Sequence, residues 1–162
     1  DLADGRLTAQ QLLQGPDLGF ALAWVNGCES GRSAVRPGDE LLGFVRGLLA
    51  GVAPSLLLTL WSVEDLTARL FARLFYTELL SSENGHQASL SHTLRRSIAR
   101  LRWLPQAEAW QILREDGHND GAISQMLGRL PRQEMGEMAA FPFTHPYFWA
   151  AYALTGEARA VS

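Results

Sequence analysis

The chain has 162 residues, which is enough for one domain that buries a core without disulfide or metal staples. Hydrophobic residues make up 47% of the sequence and charged residues 19%, a balance that is typical of globular proteins and excludes a disordered chain. The net charge of -3 gives no general attraction to nucleic acid or to an anionic membrane.

The sequence also predicts where the protein works. Its single cysteine, Cys28, cannot form an internal disulfide, so we expect a reducing compartment, the cytoplasm. The longest apolar stretch, residues 52–61, is about half the length of a membrane span. The N-terminus carries neither a signal peptide nor an initiator Met, so we expect the chain to be a piece of a longer protein. All basic residues are Arg and none is Lys, which suggests a GC-rich coding sequence and a bacterial source.

The first half of the chain alternates between predicted helices and strands. We expect residues 7–13 to form a short helix with Thr8 as its cap. The apolar run of residues 20–26 predicts a strand buried on both faces. A helix that begins at Asp39 and ends at Gly51 is predicted next, because apolar residues recur there with the helical period.

A second apolar run, residues 55–61, is again typical of a buried strand. The next helix begins at Glu64 and Asp65, where carboxylates suit the positive end of the helix dipole. We expect its inner face to carry two rows of apolar side chains: Leu66, Leu70 and Leu74, and Phe71, Phe75 and Leu79. A further helix covers about residues 86–103, and its predicted buried row is Leu90, Leu94, Ile98 and Leu101.

Residues 106–138 show two weak helical patterns separated by a polar turn at 115–121, and residues 149–154 read as a third strand. Alternation of strands and helices predicts an α/β fold with a mainly parallel sheet. We expect the strands at 20–26, 55–61 and 149–154 to be neighbours in that order. The first two should be parallel, because the helix between them is a crossover connection.

Cys28 is the main candidate for chemistry. It follows the first predicted strand, and reactive groups in parallel α/β sheets gather where strands end. Gly27 and Gly31 let the chain turn sharply, so the N–H of Cys28 could bind an oxyanion beside its own sulfur. The alternative is a buried thiol that acts as a small hydrophobic residue.

Other signals for chemistry are weak. A thiol nucleophile needs a base, but His86, His92, His118 and His145 are scattered, with His118 in a polar, solvated turn and His145 in a turn before the last strand. One Cys and four His give no ligand pair at metal spacing, so we expect no metal site. No phosphate-binding or dinucleotide fingerprint occurs, and we expect no cofactor. We interpret four arginines as a solvated helix face: Arg95, Arg96, Arg100 and Arg102.

Six segments, in order, resemble the C-terminal part of the CHAT domain, a caspase-like module that is usually attached to tetratricopeptide repeats. Asp4 to Thr8 resembles the family's D-G-x-L-T segment, and Cys28 to Gly31 its A-C-E-[ST]-G turn. The remaining similarities are to the helix after that turn (38–50), to S-L-W-x-V-x-D (54–65), to a helix ending in F-Y-x-x-L (67–80) and to H-P-Y-x-W-A (145–150).

The resemblance implies a caspase-like three-layer α/β/α sandwich in which residues 1–162 are the C-terminal part of one domain and the N-terminal portion is missing. It places Cys28 at the position of the nucleophile and the family's histidine upstream of Asp1. Asn26-Gly27 stands where the family often has Ser-Ala.

Two functions follow. The first is a cysteine-type endopeptidase module of a larger bacterial signalling protein, with a protein or peptide substrate and tetratricopeptide repeats in the same full-length chain. The second is a non-catalytic caspase-like scaffold or interaction domain. Neither involves a nucleic acid or a membrane.

Glu29 and Asp65 are candidate substrate-binding residues. Asp65 follows the second predicted strand, whose end lies on the same side of a parallel sheet as Cys28, so its carboxylate could favour a basic residue before the scissile bond. The alternative is that Asp65 only interacts with free N–H groups at a helix start.

Overall fold

The structure is a computed structural model, and it describes residues 22–25, 45–50, 54–81, 89–128 and 140–156. These residues fall in two compact units, divided in sequence after Ser62 and before Tyr152. Residues 89–91 belong with the first unit, although they lie within the span of the second.

The first unit contains a three-stranded sheet and a helix. Its elements are β1 (Ala23–Val25), α1 (residues 45–50), β2 (Ser55–Thr59) and β3 (Tyr152–Gly156). The second unit is helical in the part described. Its elements are α2 (Asp65–Leu80), α3 (Leu90–Arg102, whose first two residues belong to the first unit), α4 (Gln106–Glu115), α5 (Asp120–Gly128) and α6 (Pro146–Trp149). The described chain is therefore a mixed α/β protein.

The strand order is β1-β2-β3, as the sequence predicted. β1 and β2 are parallel, with Val25 opposite Leu58, which confirms the crossover expected between them. β3 is antiparallel to β2, with Ser55 opposite Gly156. Of the two strand pairs described, only one is parallel, so a mainly parallel sheet is not confirmed. The direction of β3 could not be predicted from its apolar character alone.

The predicted start of the third strand was wrong. Residues 146–149 form the short helix α6 instead, and β3 begins at Tyr152. Pro146 occupies the first turn of α6, where its fixed φ suits a helix and its missing N–H is not needed. The indole N–H of Trp149 donates to the carbonyl of Thr144 at 3.1 Å, which ties the end of this turn to its beginning.

α1 covers one face of the sheet. Leu48 and Leu56 form a buried cluster, against which Val45 and Leu49 of α1 and Ala23, Val25 and Leu58 of the sheet are packed. Because side chains alternate along a strand, these sheet residues share one face and Leu57 points to the other. Leu57 is also completely buried. β2 is therefore covered on both faces, as its continuous apolar sequence predicted.

α2 supplies much of the core of the second unit. It begins at Asp65, as predicted, and the two expected rows are confirmed by the burial of five side chains: Leu66, Leu70, Leu74, Phe71 and Phe75. Leu79 is half-buried near the end of the helix. The rings of Phe71 and Phe75, one turn apart, lie 6.1 Å from each other. Two ion pairs join α2 to neighbouring helices, from Glu78 to Arg96 of α3 and from Arg73 to Glu115 of α4.

The buried row of α3 is partly polar. Leu90 and Leu101 are buried as predicted, but Leu94 and Ile98 are only half-buried. Thr93 and Ser97 lie between the two leucines on the helix and are fully buried. The hydroxyl of Ser97 donates to the carbonyl of Thr93 at 2.8 Å, which satisfies a polar group that burial would otherwise destabilise.

α4 and α5 form a helical hairpin whose turn satisfies its own backbone groups. The N–H of His118 donates to the carbonyl of Leu113, and the N–H of Gly117 donates to Arg114, each at 3.0 Å. This is the Schellman pattern, and Gly117 has the positive φ of 87° that the pattern requires. Asn119 then caps α5 by accepting from the N–H of Ala122 at 2.9 Å. The predicted polar turn between two helices is confirmed.

Candidate active site at the carboxyl edge of the sheet

The parallel pair β1–β2 defines one edge of the sheet. Because Val25 lies opposite Leu58, both strands end at this edge, and the following chain segments leave from it. Tyr152, the first residue of the antiparallel β3, lies opposite Thr59 at the same edge. In parallel sheets this is the edge at which ligands bind and catalytic groups are found.

Two large apolar side chains follow β2 at this edge. Leu60 is 59% exposed and Trp61 is 37% exposed. Both belong to the first unit, with β1 and β2. They give the carboxyl edge an apolar surface. The sequence had predicted these two residues only as the end of a strand.

Cys28 and Glu29 lie outside the described residues. Cys28 follows the last residue of β1 by three positions, since β1 ends at Val25. The structure tests only the strand before Cys28. β1 (Ala23–Val25) lies within the predicted range 20–26, but residue 22 is not part of the strand. The roles of Cys28 and Glu29 remain predictions.

Asp65 is the first residue of α2, and its side chain is exposed. The residue before it, Glu64, has the extended backbone of an N-cap, but its side chain makes no capping hydrogen bond. Asp65 therefore places a carboxylate in the first turn of α2, where the helix dipole favours negative charge. Its predicted position at the helix start is confirmed, whereas its role beside Cys28 remains a prediction.

The described histidines have local structural roles or exposed positions. His145 caps α6, because its Nδ1 accepts the N–H of Tyr147 at 3.2 Å, which confirms the turn expected there. His118 is half-buried, and its Nε2 has no hydrogen-bond partner, so the expectation of a solvated side chain was wrong. Its place as the residue after Gly117 in the Schellman turn explains this burial. His92 is exposed on α3, and His86 lies outside the described residues.

The four arginines of α3 are exposed, as the sequence predicted. Arg96 pairs with Glu78, and Arg100 pairs with Glu108 at 3.2 Å. The surroundings of Arg102 were not predicted from the sequence. Its guanidinium lies 5.0 Å from the centre of the Trp103 ring and 5.3 Å from that of Trp149, which are cation–π distances. The adjacent residues Arg102 and Trp103 could have suggested a cation–π contact. The contact with Trp149 could not be predicted in this way, because Trp149 is remote in sequence.

Within the part of the chain that the structure describes, no group of three or more His, Cys, Asp or Glu side chains is placed to hold a metal ion. Nor does any helix in those ranges combine the length and apolar character needed to cross a membrane.

The sheet with its helices defines a mixed α/β protein, and the family comparison is more specific. The model of the CHAT domain matches residues 1–157, nearly the whole chain. The chain belongs to the CHAT domain family, which confirms the resemblance of its motifs and relates it to caspase-like peptidases. No significant match was found among curated proteins or among solved structures.

Proposed function

We propose that this chain is the nucleophile-bearing part of a caspase-like cysteine endopeptidase, with Cys28 as the nucleophile. The observation that carries the proposal is membership of the CHAT family over residues 1–157, a range that includes the Cys-Glu-Ser-Gly sequence at 28–31. The geometry of the sheet supports it, because β1 runs parallel to β2 and its last residue, Val25, precedes Cys28 by three positions in the sequence.

The proposed chemistry is acyl transfer to sulfur. The Cys28 thiolate attacks the carbonyl carbon of a peptide bond, and the backbone N–H of Cys28 donates to the oxyanion that forms. A histidine upstream of this chain takes the thiol proton and returns it to the leaving amine. Water then hydrolyses the thioester, so that the two steps together cleave the peptide and regenerate the thiol. No cofactor takes part.

The proposed fold is the three-layer caspase-like sandwich, of which residues 1–162 form the C-terminal part. Two features of the first unit support it. α1 covers one face of the sheet, and Leu57 on the opposite face is completely buried. A sheet covered on both faces is what a three-layer α/β/α arrangement requires.

Glu29 and Asp65 are proposed to contact the substrate. Glu29 is the neighbour of the nucleophile in sequence, and Asp65 is an exposed carboxylate six positions after β2 ends at Thr59. A carboxylate in the pocket before the scissile bond would select Arg through a charge-assisted contact. If Asp65→Ala in the full-length enzyme reduced cleavage equally after basic and neutral residues, the pocket role would be wrong.

The full-length protein is proposed to be a cytoplasmic, bacterial signalling protein in which tetratricopeptide repeats accompany this domain and present a protein substrate to it. The single cysteine supports a reducing compartment, and the all-arginine basic composition supports the source.

The test is labelling of the full-length protein with a cysteine-reactive peptide probe, with Cys28→Ala beside it. Labelling should occur on the wild-type protein and disappear in Cys28→Ala. A second variant, Cys28→Ser, keeps the side-chain size and should also lose labelling and cleavage. A protein that folds normally but is not labelled would favour the non-catalytic scaffold. The difference between Asn26-Gly27 and the Ser-Ala that the family often has supports this second function.

A further inference from the structure

One exposed surface of the second unit lies at the end of α3. A groove of about 350 Å³ opens there, lined by Ala99, Arg100, Trp103, Leu104 and Glu108. We call it the Trp103 groove. Trp103 forms one wall and is 54% exposed, so that part of a large indole ring is open to a partner.

Contacts with other side chains hold the Trp103 ring in place. The Trp103 ring meets Phe141 edge-to-face, with ring centres 5.9 Å apart. The Arg102 guanidinium lies at cation–π distances from the rings of both Trp103 and Trp149. Trp149 is itself fixed by its hydrogen bond to Thr144. A preorganised aromatic wall loses little conformational entropy when a partner binds. Trp and Arg are also among the residues that are enriched in binding hot spots.

The charge around the Trp103 groove is positive. Residues 90–102 contain four arginines and no acidic residue. Arg96 and Arg100 are neutralised by Glu78 and Glu108. Among the residues that the structure describes, neither Arg95 nor Arg102 has a carboxylate partner. Arg95, Ala99 and Arg102 share one side of α3, since they are spaced four and three residues apart, and the Cα atoms of the two arginines are about 10 Å from each other along the helix. The two arginines therefore lie on either side of Ala99, which lines the groove.

We propose that the Trp103 groove is a docking site for an acidic segment of a partner protein, which inserts an apolar side chain against Trp103 and pairs its carboxylates with Arg95 and Arg102. An apolar anchor accounts for the exposed indole, and flanking carboxylates account for the two cations. This site belongs to the second unit and does not depend on Cys28 or on peptidase activity.

The charges disfavour two other occupants. A second copy in a symmetric dimer would set the arginine-bearing α3 against itself, and like charges opposite each other oppose association. Nucleic acid would need a basic surface, but the chain has a net charge of -3, and Glu78 and Glu108 already neutralise two of the four arginines.

The experiment selects random peptides displayed on phage with the full-length protein as bait, and then measures binding of the enriched peptides by fluorescence anisotropy. Enriched peptides should carry an aromatic or aliphatic residue flanked by Asp or Glu. Trp103→Ala should weaken their binding at least about tenfold, as loss of a hot-spot side chain does. Arg95→Gln and Arg102→Gln should each weaken it roughly two- to fivefold, with less effect at high salt.

Two further variants complete the design. Ala99→Gln narrows the groove from an exposed position without removing any packing, so it should also reduce binding even if Trp103→Ala is unstable. Leu80→Ala removes another exposed apolar side chain, 77% accessible on α2, and should leave binding unchanged.

Four outcomes would overturn the proposal: enrichment of no peptide or of non-acidic peptides, equal binding to wild type and Trp103→Ala, self-association of the protein that Trp103→Ala abolishes, or binding of single-stranded RNA that the same variant abolishes.

Discussion

Gly156 ends β3 with a φ of +95°, a backbone conformation that residues with a Cβ rarely adopt. It lies opposite Ser55 in the β2–β3 ladder. A Cβ at this position would come within 2.1 Å of the carbonyl oxygen of Pro54 and 2.9 Å of a methyl group of Leu49. The backbone of Pro54 cannot move aside without disturbing the start of β2, so this glycine is required by both its conformation and its neighbours.

Gly156→Ala should therefore lower the free energy of unfolding by about 3 kcal/mol or more, the sum of backbone strain and an overpacked contact. Thermal or urea denaturation followed by circular dichroism measures it. Gly128→Ala is the matched control, because a Cβ there meets no atom within 4 Å and its φ is not positive. Equal stabilities of the two variants would contradict this account of Gly156.

The carboxylate of Asp120 is held by two hydrogen bonds from Arg114, at 2.7 and 2.8 Å. These bonds, together with the positive charge of Arg114, lower the pKa of Asp120 below its ordinary value, against a smaller opposing effect of desolvation. A lowered carboxyl pKa stabilises the folded chain above the pKa of the unfolded state, about 3.9. That stabilisation is lost as the pH falls through the pKa of the folded state.

Arg114→Gln should raise the pKa of Asp120 toward its ordinary value, because both hydrogen bonds from the guanidinium and its charge are removed. An NMR titration of the Asp120 side-chain carbonyl carbon measures the change. Arg73→Gln is the control, since Arg73 pairs with Glu115 and Asp116 and should leave the Asp120 titration where it is. An unchanged Asp120 pKa in Arg114→Gln would show that the ion pair does not persist in solution.

At the scale of elements, the α4–α5 hairpin shows how one turn can fix two helices. Gly117 closes α4 with its positive φ, and a Cβ on it would meet no atom within 4 Å. Its substitution therefore tests backbone conformation alone. Gly121, in the first turn of α5, has a helical conformation instead. The two glycines are four residues apart, but the same substitution should destabilise the chain only at Gly117.

Gly117→Ala should lower the free energy of unfolding by about 1–2 kcal/mol, the penalty for a left-handed L-residue. Gly121→Ala should leave it unchanged or raise it by up to about 1 kcal/mol, because Ala loses less entropy in a helix. For a chain of this size, each kcal/mol corresponds to a Tm change of about 2–4 °C in calorimetry. Destabilisation of the same size in both variants would mean that the left-handed turn is not what Gly117 contributes.

The elements also show what periodicity can and cannot predict. Continuous apolar runs predicted the strands β1 and β2. Burial on both faces was correct for β2, whereas the three residues of β1 are only half-buried. The helical period of α2 predicted its buried rows. Thr93 and Ser97 were missed in α3, since local hydrogen bonding lets short hydroxyl side chains be buried and hydropathy does not encode it. Trp149 was assigned to a strand because its apolar neighbours outweighed the helix-starting Pro146.

At the scale of the whole molecule, the strand order and the parallel β1–β2 pair followed from chain connectivity, because a helical crossover joins parallel neighbours. The surface around Trp103 did not follow, since it joins residues from α3, α4 and the segment 141–149. Sequence patterns describe one element at a time, and sites built from distant elements require packing to be known. Cys28 was identified by its position after a strand and by family motifs, not by its surroundings.

The 162-residue chain alone should show no peptidase activity. In the proposed function the catalytic histidine comes from upstream of Asp1, and an ordinary thiol without a base is mainly protonated near neutral pH. Two of the chain's own histidines are poorly suited to replace it: His145 uses its Nδ1 to cap α6, and the Nε2 of His118 is buried. Turnover of fluorogenic peptides with basic, acidic or neutral residues before the scissile bond should therefore equal that of Cys28→Ala.

The full-length protein, assayed in parallel, should exceed its own Cys28→Ala variant by several orders of magnitude, because loss of a catalytic nucleophile costs a factor of about 10⁶ in well-studied peptidases. Turnover by the isolated chain that Cys28→Ala abolishes would show that one of its own histidines serves as the base.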